Sequence, residues 1–167
     1  MRIKTTRFGE IEVSEDCVLT LADGMLGFSG MRRYVLIPHK DGPFRWFQAL
    51  DEPGLAFLLI DPWLVRPDYE PVVSRPDAMA LGLAADSLKA VYVVVTIPPG
   101  NPQGMTANLL GPIVINADTQ AARQVVVLNE DYGAEYPILE GLRALTQARV
   151  EEPDSPTQEE VAAKQAA

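Results

Sequence analysis

The sequence predicts an all-β fold, mostly antiparallel, with a few short helices. Three observations carry that expectation. Apolar residues recur at period two in short runs, and Asp-Gly or Pro-Gly turn signals separate the runs. Fourteen prolines are spread along 167 residues, which denies long helices to most of the chain. Many short strands joined by frequent turns read as a sandwich or a small barrel.

Each element has its own local cause. Ile3, Thr5 and Arg7 alternate with Arg2, Lys4 and Thr6, and Ile11-Glu12-Val13 repeats the form after Gly9. Further strand-like runs cover Val18 to Leu21, Tyr34 to Ile37, Phe44 to Leu50, Leu55 to Ile60, Val91 to Ile97, Ile113 to Ile115 and Gln124 to Leu128. All are rich in β-branched, aromatic or other large apolar residues. Asp23-Gly24, Asp41-Gly42 and Asp51-Glu52-Pro53-Gly54 supply turns between antiparallel neighbours. Gly24, Gly27 and Gly30 read as glycines that permit tight, positive-φ turns rather than as a dinucleotide fingerprint, since no helix-forming run follows them. Ser74-Arg75-Pro76-Asp77 opens a short helix, with Ser74 as cap and Pro76 in the first turn, and Gly82 ends it near Leu81. Asp86 to Lys89 reads as one further helical turn. Leu139, Leu142 and Leu145 form a stripe that predicts a C-terminal helix over 139–150. Glu151 to Ala167 carries five acids, one lysine and a single large apolar residue, Val161, and reads as an acidic, disordered tail.

Composition narrows the function classes. Fourteen Lys and Arg against 23 Asp and Glu leave a formal charge of -9. Phosphate binding draws on local positive charge, so this balance argues against nucleic acid and against an anionic membrane surface, and it favours basic partners. A lone cysteine, Cys17, permits no internal disulfide and fits a reducing compartment as a small buried hydrophobe. A lone histidine, His39, cannot assemble a zinc site of several Cys or His residues, and it stands outside any nucleophile motif. The basic N-terminal residues have no apolar run behind them, and no segment approaches the length of a membrane span. A soluble, cytoplasmic protein is the expectation.

Chemistry-bearing clusters are sparse. Asp61, Asp68 and Glu70 are the closest group of carboxylates, and a solvated acidic loop accounts for them as well as acid–base work does. Trp46, Phe47, Phe57 and Trp63 flank one hairpin and read as core aromatics. No metal set or catalytic residue is predicted.

Four stretches, in this order and spacing, resemble the bacterial flagellar assembly factor family FliW over residues 3 to about 138. They are Gly24-Met25-Leu26-Gly27-Phe28; Pro43 to Pro53, continuing through Leu55 to Trp63 and Pro67 to Glu70; Val95-Thr96-Ile97-Pro98; and Met105 to Asn116, with Gln124 to Leu128 after it. Departures from the family pattern are Met25 in place of Leu, Gly111 in place of Ala, and Ala122 in place of Gly before Arg123-Gln124. The segment Tyr132 to Ile138 also lacks the expected basic residues and histidine.

The resemblance implies a β-barrel-like domain, over 1–138, ahead of the helix 139–150 and the tail 151–167 that the residues themselves predict. It further implies a non-enzymatic protein without a cofactor, which binds flagellin in the cytoplasm and also binds the translational repressor CsrA. Holding CsrA relieves silencing of flagellin message, and accumulating flagellin reverses this by capturing the factor. Asp68, Tyr69 and Glu70, preceded by Pro62 and Pro67, are the expected partner-facing element, with one aromatic surface between two carboxylates. Asn108 and Asn116 are further candidates for partner binding, with turn or strand-end hydrogen bonding as the alternative role. Two rival classes have discriminating features. A small barrel that binds a ligand or nucleic acid needs a localised basic surface, for which Arg2, Lys4, Arg7, Arg32, Arg33 and Arg45 are available. An acid-dependent hydrolase needs a deep pocket with two convergent carboxylates.

Overall fold

In the computed structural model the described residues are 1–39 and 42–143. β1 (Arg2–Thr5) and β2 (Gly9–Glu12) form an antiparallel hairpin separate from the main sheet. β3 (Leu19–Leu21), β4 (Arg33–Pro38), β5 (Phe44–Ala49), β6 (Ala56–Ile60) and β7 (Lys89–Thr96) then run as successive antiparallel neighbours. The long β7 serves two partners on its other side. Its first four residues pair with β9 (Ile113–Asn116), and Val95 and Thr96 pair with β8 (Thr106–Ala107). β10 (Ala121–Gln124) lies antiparallel to β9 and parallel to β3, which closes a seven-stranded barrel. β11 (Tyr136–Pro137) adds to the outer side of β8. The all-β expectation holds, and of the sandwich and the small barrel that the pattern allowed, the barrel is the one formed.

Alternation along the strands sorts the apolar residues into three cores. Tyr34, Leu36, Phe47, Leu59, Ala90, Tyr92, Ile113 and Ile115 fill the barrel interior. Tyr34 and Phe47 stack there at 4.4 Å, an offset of large rings that fills the narrow lumen. The opposite faces of β6, β7 and β9 contribute Ile60, Val91, Val93, Val95 and Val114 to a second core. Val65, Tyr69, Leu81, Tyr132 and Ile138 cover that face from outside. A third, small cluster of Ile3, Cys17, Val35 and Leu50 seats the β1–β2 hairpin on β4. Sheet faces buried on both sides explain why β7 reads as a continuous apolar run.

Two buried side-chain amides spend their N–H groups on backbone carbonyls. Gln48 is fully buried, and the two N–H groups of its Nε2 are shared among the carbonyls of Ala49 (3.0 Å), Leu55 (3.1 Å) and Pro53 (3.2 Å), which holds the β5–β6 turn from within. Asn116 is also buried. Its Nδ2 donates to the Leu81 carbonyl at 2.9 Å, and its Oδ1 accepts from the Asp118 amide at 3.0 Å.

α1 (Arg75–Ala80) begins where the sequence places it. The Ser74 hydroxyl oxygen accepts from the Asp77 amide, Leu81 is the C-cap, and Gly82 follows at φ +66°. Asp86 to Lys89 is not helical. Ser87 turns its hydroxyl back to accept from the Ala84 amide at 2.8 Å, which closes a turn in place of a helix. Residues 139–143 are helical, and a Cβ at Gly141 would stand 2.6 Å from the Val65 carbonyl oxygen, so this helix approaches the turn after β6 closely through glycine. The rest of the expected helix 139–150 and the tail 151–167 lie outside the described residues.

The strand expected at Gln124 to Leu128 falls earlier, at Ala121–Gln124. Residues 125–128 keep the same register against 109–112, with Val125 donating to the Pro112 carbonyl and Val127 to the Leu110 carbonyl, at 2.9 and 3.0 Å. The reciprocal bonds are missing for a chemical reason. Pro112 has no N–H, and the Leu110 amide donates to Gly133 instead. Val125 and Val127 are nonetheless buried, while Val126 and Leu128 are exposed.

Tyr34 gives the barrel a pH dependence. Its hydroxyl is buried and has no hydrogen-bond partner among the described residues, and burial pushes its pKa from 10.0 up to about 12. The folded chain thus keeps a proton that the unfolded chain releases, so stability falls as pH rises from 10.0 towards about 12. Tyr34→Phe removes the unpaired group while keeping the stack. It is expected to melt within a few degrees of the parent near neutral pH and to lose less stability in the alkaline window, as thermal melts at about pH 8 and about pH 11 will show.

Candidate functional site

All four quoted stretches meet at one mouth of the barrel. Tyr92, Val94 and Thr96 share one face of β7, so the face that lines the lumen at Tyr92 emerges at Val94 and Thr96. Around that mouth lies a groove of about 370 Å³, whose walls include Leu26, Phe57, Val94, Thr96, Asn108 and Gln124. Leu26 belongs to the glycine loop, Thr96 to the third stretch, and Asn108 with Gln124 to the fourth. Phe57, from the second stretch, forms its apolar flank.

The loop 24–28 is held as one wall by backbone geometry. Gly24 and Gly27 have φ of +67° and +87°, as expected, whereas Gly30 does not adopt positive φ. The Phe28 amide donates to the Met25 carbonyl at 2.8 Å, and Met25 turns inward to become buried. Leu26 and Phe28 remain exposed, with the Phe28 ring edge-on to Phe57 at 5.4 Å. Gln124 joins this wall to the opposite one. Its Oε1 accepts from the Leu26 amide at 2.9 Å, and its Nε2 donates to the Gly111 carbonyl at 3.1 Å. Asn108 secures its own turn by accepting from the Gly111 amide at 2.9 Å.

A second hollow, of about 470 Å³, adjoins the first through Ala134 and Glu135, which line both. Its floor is Arg66. The guanidinium carbon lies 4.6 Å from the Tyr132 ring centre and 5.4 Å from that of Tyr136, and Nε is 3.4 Å from the Asp68 carboxylate. The segment 132–138, which departs from the family pattern, thus shapes both hollows.

The predicted site residues occupy different environments. Asp68 and Glu70 are exposed and line neither hollow, and Tyr69 is only 1% exposed. Its hydroxyl donates to the Leu109 carbonyl at 2.6 Å, and its ring packs 4.7 Å from Tyr132 and 5.9 Å from Trp63. Burial, reinforced by Tyr132, pushes its phenol well above the ordinary tyrosine value. The reading of Tyr69 as a contact surface is therefore corrected: the ring anchors the loop and leaves the carboxylates outside. Backbone bonds fix Glu70 in place, since its amide donates to the Tyr132 hydroxyl at 2.7 Å and its carbonyl accepts from Asn129 Nδ2 at 3.0 Å. Asn108 reaches the groove. Asn116 does not, because burial and its bonds to Leu81 and Asp118 keep it in a structural role.

The features that the rival classes need are not assembled from the residues named for them. Asp61 caps a short 3-10 turn by accepting from the Trp63 amide, Asp68 pairs with Arg66, and the exposed Glu70 lines neither hollow. Of the six basic residues, Arg2 faces Glu10 and Glu12, Arg33 pairs with Asp51 at 2.5 Å, Arg7 lies over Trp46, and Arg45 is buried, which leaves Lys4 and Arg32 exposed. His39 accepts from the Trp46 indole at 3.0 Å. Among the described residues no helix is long and apolar enough to cross a membrane. Sequence reasoning did not single out Gln124 or Arg66. Gln124 acts on a residue 98 positions away, and Arg66 meets Tyr132 and Tyr136 from a distant part of the chain, so no local pattern marks either.

Known proteins place this architecture. The model of the FliW protein family matches residues 2–138. Over 140 residues the chain is 40% identical to the flagellar assembly factor FliW of Geotalea uraniireducens, covering 84% of this chain and 85% of that one. It is also 40% identical over 147 residues to the flagellar assembly factor FliW of Treponema denticola, covering 86% and 97%. A solved structure, the crystal structure of the flagellar assembly factor FliW, matches with a TM-score of 0.77 at 30% identity, over 83% of this chain and 97% of that one. The chain belongs to the FliW family of flagellar assembly factors.

Proposed function

We propose that this flagellar assembly factor binds flagellin in the cytoplasm and antagonises CsrA, so that flagellin export is coupled to flagellin translation. The observation that supports the reading best is the convergence of the glycine loop, Thr96, Asn108 and Gln124 on one barrel-mouth groove, flanked by exposed apolar Leu26 and Phe28. Exposed apolar side chains around a shaped depression suit a protein partner. No catalytic step is part of the reading. Asp68 and Glu70, raised on a buried Tyr69, suit contact with Arg or Lys of a basic repressor.

Glu70→Lys tests the role of the exposed carboxylate. Its side chain is exposed and its loop is held through backbone atoms, so the variant is expected to keep the parental melting curve. Binding to CsrA is expected to weaken about tenfold or more, equivalent to about 1.4 kcal/mol, in a calorimetric titration. Parental affinity in the folded variant removes Glu70 from the interface.

A further inference from the structure

β10 loses one of its two neighbours before its extended course ends. β3 pairs with it in parallel only at Ala121 and Ala122, and then turns away as the Gly24 amide closes on the Leu21 carbonyl at 3.0 Å. On the other side, residues 125–128 remain bonded to Pro112 and Leu110. In this register the N–H and C=O of even-numbered residues point to the side that β3 has vacated. At Leu128 that direction is used, because its amide donates to the Val72 carbonyl at 2.9 Å. At Val126 it is not: neither its amide nor its carbonyl has a partner among the described residues. Val126 and Leu128 are 54% and 62% exposed, and they continue the line that begins with Gln124 at the groove.

We propose that residues 124–127 are a short strand-addition edge, which takes the end of an extended segment of a cationic protein partner into the place left by β3, as far as the point where Val72 holds Leu128. Three features define the occupant. The free Val126 amide and carbonyl call for main-chain pairing. The exposed Val126 and Leu128 call for apolar side chains at alternate positions. Beyond Leu128 stand the exposed carboxylates of Glu130 and Asp131, with Glu70 tied to Asn129 through its backbone, and none of the three has an ion pair among the described residues. They call for Lys or Arg at the end of the incoming segment. The same carboxylates, on a chain of net charge -9, disfavour a second copy of this chain as occupant. The inference concerns the edge itself and holds whichever protein supplies the segment, so it stands apart from the identities of flagellin and CsrA.

The test uses the full chain, isotope-labelled for nuclear magnetic resonance, and the peptide Lys-Val-Thr-Val-Thr-Lys with blocked ends. A second peptide carries Glu at both ends. The lysine peptide is expected to shift the Val126 amide and slow its hydrogen exchange about tenfold at saturation, and the glutamate peptide to bind about tenfold more weakly. Val126→Pro removes a donor that the free chain does not use, so it is expected to abolish binding without altering the fold. Should that variant unfold, Leu128→Lys keeps the amide but places like charge against the peptide, and is expected to weaken binding about tenfold. Unchanged exchange at Val126 with millimolar lysine peptide overturns the proposal. So does equal binding of the two peptides, or a concentration-dependent dimer of the peptide-free chain that protects Val126.

Discussion

Gly24→Ala is expected to destabilise the chain by about 2–4 kcal/mol and to disorganise the barrel-mouth groove. Two independent causes act at this position. The backbone is held at φ +67°, where a side chain is strained, and a Cβ there would stand 2.5 Å from the Phe28 carbonyl oxygen. That neighbour is backbone and cannot swing aside. Relief requires the 24–28 loop to move, which breaks the Phe28–Met25 bond and pulls the Leu26 amide from Gln124. Gly27 is a useful control, since its φ is also positive but its Cβ would meet nothing within 4 Å. Gly27→Ala should therefore show the conformational cost alone, about 1 kcal/mol, in the same urea titration. Equal losses at the two positions would contradict the close-approach account.

Tyr69→Ala is expected to cost about 3–5 kcal/mol, because it empties a site enclosed by Trp63, Tyr132 and Leu109 in the second core. Tyr69→Phe isolates the hydroxyl. It keeps the ring but leaves the Leu109 carbonyl without the 2.6 Å bond, and a loss of about 1–3 kcal/mol is expected from denaturant melts. The contrast with neighbouring Glu70 is the informative part. Changes at Tyr69 should lower stability first and binding as a consequence, whereas changes at Glu70 should alter binding at unchanged stability. A stable, well-folded Tyr69→Ala chain would show that the loop is not anchored by this ring.

Much of the barrel was legible because period two and turn chemistry are local signals. Eight of the nine strand-like runs lie on observed strands or overlap them closely, and the ninth, Gln124 to Leu128, shows why pattern alone misplaces an element. Its apolar alternation is real, since Val125 and Val127 are buried, but ladder formation depends on the donor capacity of residues 110 and 112 in another part of the chain. The two-residue strands β8 and β11 carry too little pattern to be seen, and the parallel contact of β10 with β3 is set by barrel closure. At the candidate site, the motif vocabulary located the groove without revealing which side chains face it. Tyr69 illustrates the limit. An aromatic between two carboxylates looks like an exposed contact, and only the arrival of Tyr132 and Leu109, many residues later, turns it inward.

The central claim is that one chain serves two partners in a switch. Its most direct test is to load the purified full-length chain with CsrA and titrate in flagellin, following the complexes by light scattering after size exclusion. Release of CsrA as a flagellin complex forms is the predicted result, because a switch requires that binding one partner disfavours the other. If the chain binds neither protein, or if flagellin adds to the CsrA complex without displacing it, the switch is contradicted.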